Sequence, residues 1–196
     1  MPRVTALRAS GRRSVAVELD GRRWRTLPLE AVVRAGLAAG SELERQQVRV
    51  LARERRRLAA LDVAVEAVRR RDRSEQDVRA RLERRGVPAA ERERALGTLR
   101  IAGALDDGRY ACGRAEGLAR RGYGDTAIRH DLERSGVGAA EIEAALEALP
   151  PESERAVEQA RRLGGGLRAA RGLARRGFGE DVVEALVAGA EETEVG

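Results

Sequence analysis

The chain repeats itself, and that repetition constrains its fold more than any other feature. Glu83-Arg84-Arg85-Gly86-Val87 returns fifty residues later as Glu133-Arg134-Ser135-Gly136-Val137. Leu118-Ala119-Arg120-Arg121-Gly122-Tyr123-Gly124 returns fifty-five residues later as Leu173-Ala174-Arg175-Arg176-Gly177-Phe178-Gly179. A period near fifty with helix-like units inside it predicts stacked helical repeats between residues 61 and 189. Such stacks work as surfaces for long partners.

The glycines in those echoes read as helix stops. A left-handed glycine just past a helix lets the next residue touch the side chain four before the glycine. That spacing places Val87 on Leu82 through Gly86, and Tyr123 on Leu118 through Gly122. It places Val137 on Leu132 through Gly136, and Phe178 on Leu173 through Gly177. Ser74 is expected to cap a helix burying Val78 and Leu82. Pro88 opens one with Leu96 and Leu99 inward, and Asp106 caps one carrying Tyr110, Ala111 and Leu118. Helices with Ile128 and Leu132, with Ile142, Ala145 and Leu146, and with Ala156, Val157, Ala160 and Leu163 are expected to follow. Gly164-Gly165-Gly166 reads as flexible, and helices from Leu167 to Arg176 and Glu180 to Ala188 close the array. From Glu191 the chain reads as a frayed acidic tail.

Residues 3–27 carry strand patterning. Val15, Val17 and Leu19 alternate with polar neighbours, and Asp20-Gly21 is a preferred two-residue hairpin turn before a return strand with Trp24 and Leu27. Pro28 starts a short helix from Leu29 to Leu37. Ser41 with Glu44 reads as a capping box opening a long amphipathic helix, expected to break or kink near 57–60. Its apolar side holds Leu43, Val50, Leu51, Leu58, Leu61, Val65 and Val68. Arg45, Arg49, Arg53 and Arg56 form a stripe on roughly the opposite side, with Glu42, Glu44 and Glu54 near enough to pair with some of them.

Charge sharpens that stripe. The net charge is +6, and all 38 basic residues are arginine. Residues 1–73 hold 18 Arg against 9 acids, a balance of +9, whereas residues 74–196 hold 20 against 23, a balance of −3. A basic first third on a mildly acidic body suits a protein that touches a polyanion or an acidic partner with one end. The candidate contacts are the stripe together with Arg12, Arg13, Arg22, Arg23 and Arg25.

Catalytic chemistry has little to build on. His130 is the only histidine and Cys112 the only cysteine, too few for a zinc site within the chain. There is no phosphate-binding glycine loop and no nucleophile elbow. Asp106-Asp107 reads as an N-cap with a favourable first-turn charge. No cofactor or metal is expected. The start shows no apolar signal region and no apolar run approaches about 20 residues, so a cytoplasmic protein without a membrane span is expected, and a monomer.

Arg73-Ser74-Glu75-Gln76-Asp77-Val78 with Leu82 and Gly86-Val87, then Leu99 to Ala104, continue into Leu105-Asp106-Asp107-Gly108-Arg109-Tyr110-Ala111. With Arg121-Gly122-Tyr123-Gly124, Leu132, Gly136-Val137 and Arg176-Gly177-Phe178, the series resembles the RecX family of regulatory proteins, which bind the RecA recombinase. The match covers roughly residues 58–189. It implies a mainly α fold of three tandem three-helix repeats (58–103, 104–149 and 150–190) in a curved, elongated array. A basic hairpin region (1–40) and an amphipathic basic helix (41–57) precede the repeats, and an acidic tail (191–196) follows. It also implies a non-enzymatic role in recombination, DNA repair and the SOS response: binding the RecA–single-stranded DNA filament and restraining its ATPase, strand-exchange and co-protease activities. Ser74, Leu82, Gly86, Asp106, Tyr110, Gly122, Tyr123, Leu132, Gly136, Gly177 and Phe178 are then structural motif residues. The alternative is a nonspecific nucleic-acid-binding repeat protein that contacts single-stranded DNA through its arginine-rich N-terminal third.

Overall fold

Alternation in the first thirty residues produces three strands: β1 (Val4–Ala9), β2 (Ser14–Leu19) and β3 (Arg22–Pro28), in an antiparallel sheet of order β1-β2-β3. The expected hairpin is β2–β3, and the apolar run before Gly11 supplies the third strand. Asp20 (φ 49°) and Gly21 (φ 77°) make the turn, both in the left-handed region that a two-residue hairpin demands. This computed structural model describes residues 1–69 and 71–194, with side chains through Ala188. The last two residues of the expected acidic tail lie outside that range.

Contacts divide the chain into two units. The first comprises Met1–Glu66 and Arg81–Leu99. Its sheet buries Val4, Val15, Val17 and Leu27 against Ala31 and Val32 of α1 (Leu29–Arg34), Leu37, Leu43 and Leu51. The chain after α1 also covers the free edge of β1: Gly40 donates to the Val4 carbonyl (2.7 Å), and Val4 donates to Ser41 (2.8 Å). A short hairpin cannot stabilise itself in water, and here α1 and its flanks supply the missing core.

Helix α2 (Arg45–Val68) differs from expectation in three ways. Ser41 does not cap it: its hydroxyl donates to the Ala38 carbonyl (2.7 Å), while Gln47 Oε1 accepts the Glu44 N–H (3.0 Å) at the true start. The helix is unbroken, because residues 45–68 contain no Gly or Pro to kink it. In its second half the buried positions are Ala60, Ala64 and Ala67, whereas Val65 is 42% exposed. The buried face there is thus made of the smallest apolar side chains, and the larger branched ones lie beside it.

The first unit also includes the end of α3 (Glu75–Arg84) and most of α4 (Ala89–Ile101), burying Leu82, Leu96 and Leu99. The second unit, Ala67–Ala80 and Arg100–Gly196, begins with a capped turn. The buried Ser74 Oγ accepts the Asp77 N–H (3.2 Å) and donates to the Ser135 carbonyl (2.7 Å). Helices α5 (Asp107–Arg120), α6 (Asp125–Arg134) and α7 (Ala139–Glu147) enclose Ala111, Ala115, Leu118, Ile128, Leu132, Val137, Ile142 and Ala145. Helices α8 (Glu152–Leu163), α9 (Gly166–Arg175) and α10 (Glu180–Glu194) enclose Ala156, Ala160, Ala169, Leu173 and Phe178. One residue of the apolar set expected in α8 faces outward, Val157 at 38% exposed. Gly164, Gly165 and Gly166 all have positive φ, so this stretch is a defined turn into α9. Helix α10 continues through Glu194, beyond the end at Ala188 that the sequence suggested.

The glycine stops have the expected geometry. The N–H of each glycine's follower reaches the carbonyl five residues back: Val87 to Leu82 (3.1 Å), and Tyr123 to Leu118, Val137 to Leu132 and Phe178 to Leu173 (each 3.2 Å). Leu37 to Val32 (3.2 Å) after α1 repeats the pattern within the N-terminal region. The left-handed glycine satisfies carbonyls that the helix end would otherwise leave open.

Candidate functional site

Residues 1–66 hold all nine candidate arginines, and every one is exposed. The sheet does not gather its five into one cluster. Ser14 pairs with Pro28 and Leu19 with Arg22, so Arg12 and Arg13 sit at one end of β3 and Arg22 and Arg23 at the other. At about 3.3 Å per residue those ends are roughly 20 Å apart. The register skips Trp24 between the Val17–Arg25 and Glu18–Arg23 pairs. Arg25 stacks over that ring at 5.6 Å from its centroid, and Arg23 donates to Thr26 Oγ1 (3.1 Å).

The α2 stripe is more coherent. Arg45, Arg49, Arg53 and Arg56 span three turns of one helix, and neighbours at this spacing stand about 5–6 Å apart at Cβ. Among the described residues only Arg53 has a carboxylate within range, Glu54 at 3.9 Å. That carboxylate is buried and committed elsewhere, accepting from Arg57 Nε (2.8 Å) and facing Arg34 (3.6 Å). Arg57 also pairs with Glu30, so a four-residue ionic network fastens α1 to α2 and holds the stripe outward. Arg57 and Arg34 were not singled out by sequence, because a tertiary ion pair has no local spacing. Glu42 and Glu44 form no ion pair with the stripe among the described residues.

The motif residues of the second unit build a junction. Gly124 donates to the Arg176 carbonyl (2.9 Å) and Thr126 to Gly177 (3.1 Å), so loops 121–124 and 176–179 bind backbone to backbone. Arg176 Nη1 donates to the Arg121 carbonyl (2.9 Å). Arg155 pairs with Asp125 and donates to the Tyr123 carbonyl (3.2 Å). A Cβ on Gly124 would lie 2.3 Å from the Gly177 oxygen. The two copies of the motif therefore face each other across a gap that only glycine fits. Phe178 is buried there, whereas Tyr123 is 36% exposed, with the Arg121 and Arg176 guanidiniums 5.8 and 5.9 Å from its ring centroid.

Acid groups in this unit serve the helices. Asp106 accepts the Arg109 N–H (2.9 Å) as the N-cap of α5. Asp107, expected to act through its charge on the first turn, accepts the Glu75 N–H (2.7 Å) at the start of α3, and burial raises its pKa. Tyr110 donates to Ser135 Oγ (3.3 Å) from the edge of the α5–α7 core. Asp131 receives both Arg114 nitrogens (2.7 and 3.0 Å), which hold its carboxyl below the usual range. No group of three or more His, Cys, Asp or Glu converges as a metal site among the described residues. No helix among them is long and apolar enough to cross a membrane.

Comparison with known proteins bears on the second unit most directly. The family model described as RecX, second three-helix domain, matches residues 106–146, which are α5 to α7 with the Asp106 cap. A crystal structure of regulatory protein RecX superposes with a TM-score of 0.81 at 22% identity, covering 95% of this chain and 98% of the other. A crystal structure of RecX from Lactobacillus salivarius superposes with a TM-score of 0.63 at 16% identity, covering 69% and 97%. No curated protein sequence matches the chain. Residues 106–146 thus match the second three-helix domain of RecX, and the chain around them has the fold of the RecX crystal structure.

Proposed function

We propose that this protein is a non-enzymatic regulator that binds the RecA–single-stranded DNA filament and restrains its ATPase, strand-exchange and co-protease activities. The observation that carries this reading is the family match across α5 to α7. The α2 stripe and the sheet arginines supply the anion-seeking contacts, because they are exposed and, apart from the weak Arg53–Glu54 approach, without carboxylate partners among the described residues. In this reading the protein acts as a monomer in the cytoplasm and needs no cofactor. The same arginines favour a second reading, nonspecific binding of nucleic acid through phosphates.

One titration separates the two. RecA's single-stranded-DNA-dependent ATPase is measured as the protein is added, beside a binding assay on bare single-stranded DNA. Filament regulation predicts inhibition at substoichiometric ratios with weak binding to bare DNA. An unchanged ATPase alongside tight, steeply salt-dependent DNA binding would establish the second reading instead. Replacing Arg45, Arg49, Arg53 and Arg56 by Gln is expected to leave the melting temperature nearly unchanged and to weaken filament inhibition. Full inhibition by that variant removes the stripe from the mechanism.

A further inference from the structure

Within the repeats, four glycine-capped helix ends carry an apolar or aromatic follower, and one of the four breaks ranks. Val87, Val137 and Phe178 all follow the second helix of a three-helix repeat, after α3, α6 and α9, and Val137 and Phe178 are 6% and 5% exposed. Tyr123 follows a first helix, α5. Its backbone bond to Leu118 is the same as theirs, yet the residue is 36% exposed. After α8, the first helix of the next repeat, the corresponding follower is Gly165, whose N–H reaches Ala160 (3.1 Å) with no side chain at all. The architecture therefore does not require an aromatic residue at this place.

The ring's surroundings are rich in arginine, with Leu118 and Ala127 as the apolar part of the lining. A recess of about 360 Å³ beside Tyr123 is bordered by Arg114, Arg121, Arg134, His130 and Asp131. The one carboxylate is already held by Arg114 through two bonds, with Arg134 at 3.0 Å. Arg121 donates to the Gly117 carbonyl (3.2 Å) and Arg176 to the Arg121 carbonyl (2.9 Å), and neither meets a carboxylate among the described residues. Arg134 is 68% exposed, so most of its donors face solvent.

We infer that the Tyr123 recess is a contact site for single-stranded nucleic acid: it takes one nucleotide, with Arg121 and Arg134 on the phosphate and Tyr123 against the base. The site is separate from the α2 stripe and does not rest on filament binding. Stacking on an aromatic ring beside arginines is how single strands are held without sequence readout. Arg121 covers the ring in the free protein, and a phosphate draws that guanidinium off its face as the base arrives. A paired duplex hides its base faces, so the single strand is the form that fits. An acidic peptide would use the arginines but leave the exposed ring and imidazole without a planar partner.

The test is anisotropy of a fluorescein-labelled fifteen-residue oligo(dT) with the full-length protein. It is run in the background where Arg45, Arg49, Arg53 and Arg56 are Gln, which removes the most coherent of the other basic surfaces. Tyr123→Leu is expected to weaken binding about ten-fold, and Tyr123→Phe to stay within about two-fold of the parent. Arg121→Gln with Arg134→Gln is expected to flatten the log–log salt slope by about 0.7, the value for one phosphate contact. Melting temperatures report whether each variant folds, and the abasic oligonucleotide tests stacking if Tyr123→Leu does not. Equal affinity of Tyr123→Leu and its parent would overturn the inference. So would abasic oligonucleotide binding as tightly as oligo(dT), or poly-glutamate competing on equal terms, which would assign the recess to an acidic peptide.

Discussion

Loops 121–124 and 176–179 share the pattern Arg-Gly-aromatic-Gly, both end helices in the same left-handed turn, and they hydrogen-bond to each other. One buries its aromatic ring in a helical core and the other leaves it partly exposed, with two guanidiniums within 6 Å of its centroid. The difference comes from phase. Loop 176–179 follows the second helix of its repeat, where the α8–α10 core needs a large apolar group. Loop 121–124 follows the first helix of its repeat, and the core of α5–α7 takes Val137 from its own second-helix end instead. A repeated sequence thus dictates backbone geometry, and repeat phase decides what the side chain is for.

Four experiments break or sharpen this contrast. Gly124→Ala is expected to have the largest effect, roughly 4 kcal/mol or more, measured by urea denaturation. Gly124 has an ordinary φ of −85°, so the cost arises wholly from a Cβ within 2.4 Å of the opposite backbone. Phe178→Ala follows, with a loss of about 3 kcal/mol for an emptied core site, while Tyr123→Ala loses less than about 1 kcal/mol. Equal losses for the two aromatics would show that the exposure difference carries no energetic meaning. Gly86→Ala, where no atom lies within 4 Å but φ is +69°, should cost about 1 kcal/mol and isolates the conformational component from the steric one.

The smallest effect concerns acid. Arg114 and Arg134 depress the folded-state pKa of Asp131, so its contribution is present above the unfolded carboxylate value and is lost as pH falls through the lower folded value. Wild-type stability should therefore drop below about pH 4 by up to about 1 kcal/mol through this pair. Asp131→Asn should be less stable at neutral pH and show a shallower acid decline. An acid limb unchanged by that substitution would assign the decline to other carboxylates.

Much of this architecture was legible because its signals are local. The Leu-x4-Val spacing around Gly86 and Gly136, the Asp106 cap and the Asp20-Gly21 turn each act within six residues. The parts that sequence missed are relations between distant residues. The alanine face of α2 was hidden because Leu61, Val65 and Val68 satisfy the same helical period with larger side chains. Gln47 displaced Ser41 as a capping partner because Ser41 lies in the segment that runs along β1. Of the candidate site, exposure of the nine arginines followed from their pattern, but their separation along β3 required the strand register. The solvent position of Tyr123 was concealed by its resemblance to Phe178.

One side chain at the junction limits how such an array can change in length. Glu152, two residues into the third repeat, accepts the Asp125 N–H (2.6 Å) and the Gly179 N–H (3.3 Å) with its two oxygens. It thereby closes the open end of a helix in the second repeat and of another in the third. A gene cut at Pro150 would discard the group that seals α6 as well as the loop that Gly124 binds. Loss of the third repeat is therefore expected to weaken the second as well.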